Sequence, residues 1–163
     1  MKTPNRLKNV FIGVVILAII LLGIGWLYLQ SQDTALEIIT DKPAYFATDN
    51  PELQIVLRNP KGANEGEVIV NYPESLISIM ESEVATGVNM RNMDNAIVFE
   101  LSDEYFKNYT AVIATLKMEK VEREQIDIEF DQEKSSLNSP EGAVQVASYK
   151  DAHFAYGQAG GRR

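Results

Sequence analysis

The sequence predicts an all-β domain, an antiparallel sandwich of two sheets, preceded by one N-terminal transmembrane helix. Three observations carry this expectation. Val10 to Leu29 (VFIGVVILAIILLGIGWLYL) is apolar almost throughout, and no charged residue stands between Lys8 and Asp33. From Asp33 onward the solid apolar block gives way to short alternating runs rich in β-branched and aromatic residues. Pro, Gly, Asn and Asp break those runs at intervals of about ten residues, the punctuation of a strand-rich sandwich.

The helix comes first. Its length, at about 1.5 Å rise per residue, gives about 30 Å, the thickness of a bilayer's hydrocarbon core. In lipid a helix satisfies its own backbone hydrogen bonds, so an uninterrupted apolar run of this length spans. Lys8 marks one end, and Trp26 and Tyr28 place amphipathic rings at headgroup level at the other. A cleaved signal peptide has a shorter apolar region ending in small residues, whereas Tyr28-Leu29-Gln30-Ser31-Gln32-Asp33 offers no Ala-x-Ala pattern. The chain has no cysteine to carry a lipid anchor. Lys2, Arg6 and Lys8 precede the span with no acidic residue among them, so the N-terminus is expected in the cytoplasm and residues 33–163 outside. The expected organisation is a basic cytoplasmic start (1–9), the span (10–29), a linker (30–34), the exterior sandwich (35–156) and a Gly-rich tail (157–163).

The exterior part has the size of one domain with a single core. With Lys2, Arg6 and Lys8 set aside, 12 basic residues face all 23 acidic ones, a net charge of about −11 with His153 neutral. Such a charge repels nucleic acid and anionic lipid headgroups and argues against both as partners. Without cysteine there is no disulfide framework, thiolate metal site or thiol nucleophile, so apolar burial has to hold the domain.

Leu36-Glu37-Ile38-Ile39 reads as the first strand, stopped at Asp41-Lys42-Pro43. Leu53 to Leu57 alternates, introduced by Asp49-Asn50-Pro51 and closed by Asn59-Pro60-Lys61-Gly62. Glu67 to Tyr72 follows, stopped by Pro73, and then Leu76 to Met80. Glu81 to Asn95 is polar and reads as a long loop with one short strand around Val88. Ala96 to Leu101 is a strand, and Ser102-Asp103-Glu104-Tyr105-Phe106 a short helical turn with Ser102 as cap. Ala111 to Met118 and Gln125 to Phe130 alternate well, and Val144 to Val146 and His153 to Tyr156 close the domain. Alternation predicts inward side chains at Leu53, Ile55 and Leu57; Val68, Val70 and Tyr72; Ile97, Phe99 and Leu101. It predicts the same for Val112, Ala114, Leu116 and Met118, and for Ile126, Ile128 and Phe130.

No catalytic constellation emerges, and a non-catalytic protein is expected. The one histidine, His153, reads as a polar residue on the outer face of the last strand. Gly-x-Ser-x-Gly, a phosphate-cradling loop and His-Glu-x-x-His are all absent from the sequence. So is the Asp-x-Asn-x-Asp-Gly calcium loop, and Asp94-Asn95, Asp103-Glu104 and Asp127-x-Glu129 read as solvated acidic surface. No cofactor and no metal are expected.

Two stretches resemble the cohesin family, β-sandwich modules that dock dockerin domains in bacterial surface assemblies. Glu67-Val-Ile-Val-Asn-Tyr72-Pro73-Glu-Ser-Leu76-Ile77-Ser-Ile79 is similar to the cohesin strand that ends in tyrosine and leads, through an Asp-Pro pair, to a short leucine-containing strand. Here the aspartate is missing and Pro73 follows Tyr72 directly. Ala111 to Met118, with Ile126 to Phe130 and Ser139-Pro-Glu-Gly142, is similar to the closing strands. The resemblance covers about residues 35–156 and implies a jelly-roll, cohesin-like sandwich with a dockerin-like protein partner. Carbohydrate-binding modules share that architecture, so a polysaccharide partner stays open, as does a structural subunit of a pilus or envelope complex. The only tryptophan lies in the anchor and Tyr45, Tyr105 and Tyr109 fall in expected loops, which disfavours sugar. Gly13, Ala18, Gly23 and Gly25 make no small-xxx-small pair, which disfavours assembly through the helix.

The expected working surface follows from alternation. With Val68, Val70 and Tyr72 inward, Glu67, Ile69 and Asn71 face outward, as do Val56 and Arg58 on the preceding strand and Val98 and Ile113 on later ones. Four β-branched residues on outer faces, rimmed by Glu67, Asn71 and Arg58, have the composition of a docking patch if one sheet carries them all. Glu67 also matches a polar position of the cohesin docking face, as the resemblance implies.

Overall fold

The computed structural model describes residues 33–42, 45–46, 50–120, 125–154 and 156–157, together with Val15 and Ile19. The chain divides into two units, Met1–Gln32 and Asp33–Arg163. Lys8, Trp26, Tyr28 and the expected span lie outside the described residues, save Val15 and Ile19, which are helical. Among the described residues no helix is long and apolar enough to cross a membrane.

The second unit is an all-β sandwich. β1 (Ala35–Thr40), β3 (Glu52–Arg58), β5 (Ile77–Val84), β8 (Val112–Lys120) and β12 (Ser148–Lys150) make a five-stranded sheet in the order β12-β1-β3-β8-β5. β4 (Glu65–Asn71), β6 (Val88–Met93), β7 (Ala96–Leu101), β10 (Ser136–Ser139) and β11 (Gly142–Val144) run β11-β10-β4-β7-β6 in the other. β9 (Ile126–Phe130) pairs with β4 beside β10, and β13 (Ala152–Phe154) pairs with β9, giving seven strands in all. β2 (Tyr45–Phe46) and β14 (Tyr156–Gly157) form a separate small pair. α1 (Asp103–Lys107) is one short helix.

Apolar alternation builds the core as expected. The inward residues predicted on β3, β4, β7, β8 and β9, with Tyr72, all join one buried cluster except Val112. Leu36, Ile38, Ala63, Ile77, Tyr105, Ile113, Leu137, Ala152 and Phe154 complete it. Burying these side chains, at about 25 cal/mol per Å² of apolar surface, is the driving force that replaces the missing disulfides.

Four local expectations are corrected. The stretch 81–95 is not a loop: β5 continues to Val84 and β6 occupies Val88–Met93. Both are edge strands, so most of their side chains meet solvent and the apolar alternation is faint. On β8, Ala114 pairs with Ile55 and Val112 with Val56, leaving Ile113 as the extra residue of a bulge. The bulge turns Ile113 fully into the core and Val112 outward, the reverse of plain alternation. Ser102 occupies the N-cap of α1 without capping it, because its Oγ donates to Gly87 O at 2.8 Å. Finally, the sandwich is not wholly antiparallel: β12 joins β1, and β14 joins β2, in parallel. In each case the later strand returns after nearly the whole domain, which supplies the long crossover that parallel pairing needs.

Candidate functional site

Three rows of side chains cross the outer face of the seven-stranded sheet. Register aligns Glu67 with Glu100 and Asn89, Ile69 with Val98 and Arg91, and Asn71 with Ala96 and Met93. They face outward because Val68, Val70, Ile97 and Phe99, between them in sequence, lie fully in the core. Glu67, Ile69 and Asn71 therefore share one face, as alternation predicted.

The middle row is not the exposed patch expected. Ile69 is only 8% exposed and Val98 only 2%. Arg91 sits beside Val98, yet its Nη2 lies 2.6 Å from Glu100 Oε1 and 3.9 Å from Glu67 Oε2. To reach the two carboxylates its aliphatic stem has to lie along the valine row, covering apolar surface while the guanidinium stays in water. Asn89 Nδ2 donates to the second oxygen of Glu100 at 2.9 Å and fixes that carboxylate. On the other side of β4, the turn 131–135 joins β9 to β10 at the level of Ile69. Ile69 N donates to Ser135 Oγ at 3.0 Å, and Asp131 N donates to Ile69 O at 2.9 Å. Lys134 pairs with Asp131 within that turn and holds the Asp131 carboxyl below its ordinary range.

Val56 and Arg58 are corrected in another way: they belong to the five-stranded sheet and cannot share a patch with Ile69 and Val98. Val56 is 3% exposed and stands in register with Glu37. Arg58 Nε donates to that same Glu37 at 2.9 Å. Each sheet thus carries an outward valine with an arginine–glutamate pair beside it. Ile113, the fourth expected patch residue, is core.

At the end of the sheet where β4 finishes, a groove of about 550 Å³ runs between the β6–β7 turn and β9. Among the described residues, Asn71, Tyr72, Asp94, Asp127 and Glu129 line it, and no lysine or arginine does. Asn95, in the left-handed region at φ 59°, makes the tight β6–β7 turn and accepts Glu74 N on its Oδ1 at 3.3 Å. Beyond β9, His153 Nδ1 stands 2.9 Å from Asp127 Oδ1. That hydrogen bond raises the His153 pKa and lowers that of Asp127, and Asp151 and Glu129 add to the effect on His153. His153 is exposed on the outer face, the position expected from sequence.

Asn89 and Arg91 were not legible as site residues, because 81–95 read mostly as loop, and Glu100, on a strand that was expected, gained its role only through them. The one signal was the spacing of Val88 and Met90, both packed against the core, around Asn89 and Arg91. Among the described residues no group of three His, Asp or Glu side chains is placed to hold a metal.

No family model and no curated protein matches the chain. Solved structures do. The chain is similar to the Coh-OlpC–Doc435 complex, described as a type I cohesin–dockerin complex from Clostridium thermocellum, at 16% identity over 78% of this chain and 97% of that one, with a TM-score of 0.60. It is similar to the Coh-OlpA–Doc918 complex of the same organism, at 17% identity over 75% and 99%, with a TM-score of 0.57. A type II cohesin domain from the cellulosome of Acetivibrio cellulolyticus matches at 13% identity over 76% and 95%, again with a TM-score of 0.57. The fold is a cohesin-like two-sheet β-sandwich.

Proposed function

We propose that this chain is a non-catalytic, membrane-anchored binding module. Residues 10–29 hold it in the bilayer with the N-terminus cytoplasmic, and residues 33–163 dock a dockerin-like protein outside. The face containing Glu67, Ile69, Asn71, Val98 and Arg91 takes the partner. The observation that carries the reading is the match over about three quarters of the chain to cohesins, two of them solved with dockerins. The character of the face supports it. An apolar row lies under an ion-paired arginine, with Met93 exposed at one corner, and burying such a centre inside a polar rim is how stable interfaces are built. The charge-free run between Lys8 and Asp33 supports the anchor.

A polysaccharide partner would call for aromatic rings in the open. Among the described residues the exposed large hydrophobics include one aromatic, Tyr109, whose hydroxyl donates to Leu57 O at 2.7 Å.

The test is a titration of the full chain, in detergent micelles, with a panel of dockerin domains. At least one is expected to bind with a dissociation constant below about 1 µM. Glu67→Lys should weaken that binding at least about tenfold, and Glu83→Lys on the opposite sheet should not. Absence of binding by every member, or equal loss from both variants, overturns the reading.

A further inference from the structure

Of the chain's eleven asparagines only Asn108 heads an Asn-x-Ser/Thr triplet, Asn108-Tyr109-Thr110. That triplet, with any residue but proline in the middle, is the acceptor signal for N-linked glycosylation. It follows α1 directly, and all three residues are exposed. Two tyrosines hold the backbone there from beneath. Tyr105, only 1% exposed, donates its hydroxyl to Thr110 O at 2.7 Å, and Tyr109 donates to Leu57 O at 2.7 Å. Asn108 and Thr110 line a second groove, of about 530 Å³, together with Gln54 on β3, Val84 at the end of β5, Thr86, and Thr115 on β8. Amides and hydroxyls beside a valine match a sugar ring, which donates and accepts hydrogen bonds around its rim and is less polar on its faces. A sugar tethered covalently needs no aromatic platform, because attachment itself supplies a high effective concentration.

We infer that Asn108 carries an N-linked glycan, added outside the membrane, whose first sugar lies in this groove. In the transfer the Asn108 side-chain nitrogen bonds to the anomeric carbon of an oligosaccharide carried on a polyprenyl diphosphate. The bond from that carbon to the diphosphate oxygen breaks, the lipid diphosphate leaves with the electron pair, and one amide proton passes to a base of the transferase. One amide hydrogen remains. Asn108 Nδ2 donates to Glu104 O at 3.0 Å, and a single N–H keeps that bond while the glycan leaves from the other position. Thr110 Oγ1 donates its own hydrogen to Val112 O at 3.0 Å, which leaves the oxygen lone pairs for the transferase to read. A glycan here leaves the docking face open, since Gln54, Val84 and Thr115 belong to the five-stranded sheet and Glu67, Ile69 and Asn71 to the other. It also covers Val84, 38% exposed on the edge strand β5, where an open edge invites pairing with another chain. This inference rests on the reading above for the exterior placement of residues 33–163.

The test takes the full chain, extracted in detergent from membranes of the cells that make it naturally. The peptide carrying Asn108 is weighed before and after treatment with an amidase that removes N-glycans and leaves aspartate at position 108. A sugar adduct that the amidase removes is expected on that peptide. Asn108→Gln and Thr110→Ala should abolish the adduct, and Thr110→Ser should keep it, because serine retains the hydroxyl. An unmodified peptide from the parent chain overturns the inference whether or not the variants fold, and so does an adduct that survives Thr110→Ala. Protease added to intact cells separates this inference from the reading it rests on. An unmodified peptide in a domain the protease reaches overturns the glycan alone, and in a domain the protease cannot reach it overturns the exterior placement as well. NMR of the glycosylated chain in micelles tests the seat. The first sugar's protons should show nuclear Overhauser contacts to the methyls of Val84, Thr86 and Thr115, and absence of all three overturns the groove as its resting place.

Discussion

Gly87 lies so close under the main chain of Tyr105 that a Cβ at position 87 would collide with the Tyr105 backbone nitrogen. Its φ of +80° is also the left-handed conformation that side chains resist. The contact is where the β5–β6 connection meets α1, since Ser102 N and Oγ both donate to Gly87 O. Gly87→Ala is therefore expected to cost more than about 2 kcal/mol, through backbone strain and displacement of α1 together. Thermal unfolding measures it, and a change in Tm below about 2 °C would contradict the packing described.

Ile69→Asp follows from the covered row. An uncompensated carboxylate placed between Val98 and the 131–135 turn should destabilise by more than about 3 kcal/mol. Asn71→Asp, two residues along the same strand and exposed, should cost under about 0.5 kcal/mol. Denaturant titration of both variants decides it. Similar midpoints for the two would mean that Ile69 is open to water.

The comparison of these two positions shows how far the sequence could be read. Alternation placed Val68 and Val70 inward and Ile69 outward correctly, because a strand's side chains have a fixed period of two. Exposure is another matter. Whether an outward isoleucine meets water depends on which neighbour lies across it, and Arg91 arrives from a strand 22 residues further on. The same limit explains why Val56, Ile69 and Val98 looked like one patch: assignment to a sheet is a tertiary property that local pattern does not contain. Ile113 failed for a third reason. A bulge inserts one residue and reverses the phase, and nothing in Ala111 to Met118 marks where it falls. The interior strands β1, β3, β4, β7, β8 and β9 were legible since apolar period and turn residues mark them, whereas β10, with Leu137 its one buried apolar residue, was missed. β5 beyond Met80 and β6 were not legible either, being edges.

His153 makes a pH prediction with a definite sign. Its folded pKa is raised above the ordinary 6.5, chiefly by the hydrogen bond to Asp127. The folded state therefore holds the proton more tightly than the unfolded chain does. The stabilisation is fully present below about pH 6.5 and fades as pH rises through the folded pKa. Asp127→Asn should bring the imidazole titration, followed by NMR, back toward 6.5. His153→Asn should remove the decline of Tm with pH in that window. A titration unmoved by Asp127→Asn would show that the two side chains do not pair in solution.

Arg91 separates two physical accounts of the docking face. Its ion pairs with Glu100 and Glu67 are half exposed, and surface pairs of this kind contribute about 0–1 kcal/mol and weaken with salt. Its stem, by contrast, leaves the backbone beside Val98, its partner in register, and any apolar cover it gives there is insensitive to salt. Arg91→Met keeps a long unbranched stem and removes the charge, whereas Arg91→Ala removes both. If the cover is what matters, Met should unfold within about 0.5 kcal/mol of the parent, and Ala should lose about 1–2 kcal/mol at low and high salt alike. If the charges matter, both variants should lose the same amount and high salt should erase the difference from the parent. Denaturant unfolding of the three proteins at 0.05 and 1 M salt, roughly the extremes of screening, distinguishes the two. The apolar-cover account predicts the first pattern, because Val98 at 2% exposure has no other long side chain beside it on β6 than that of Arg91 in the register of the sheet.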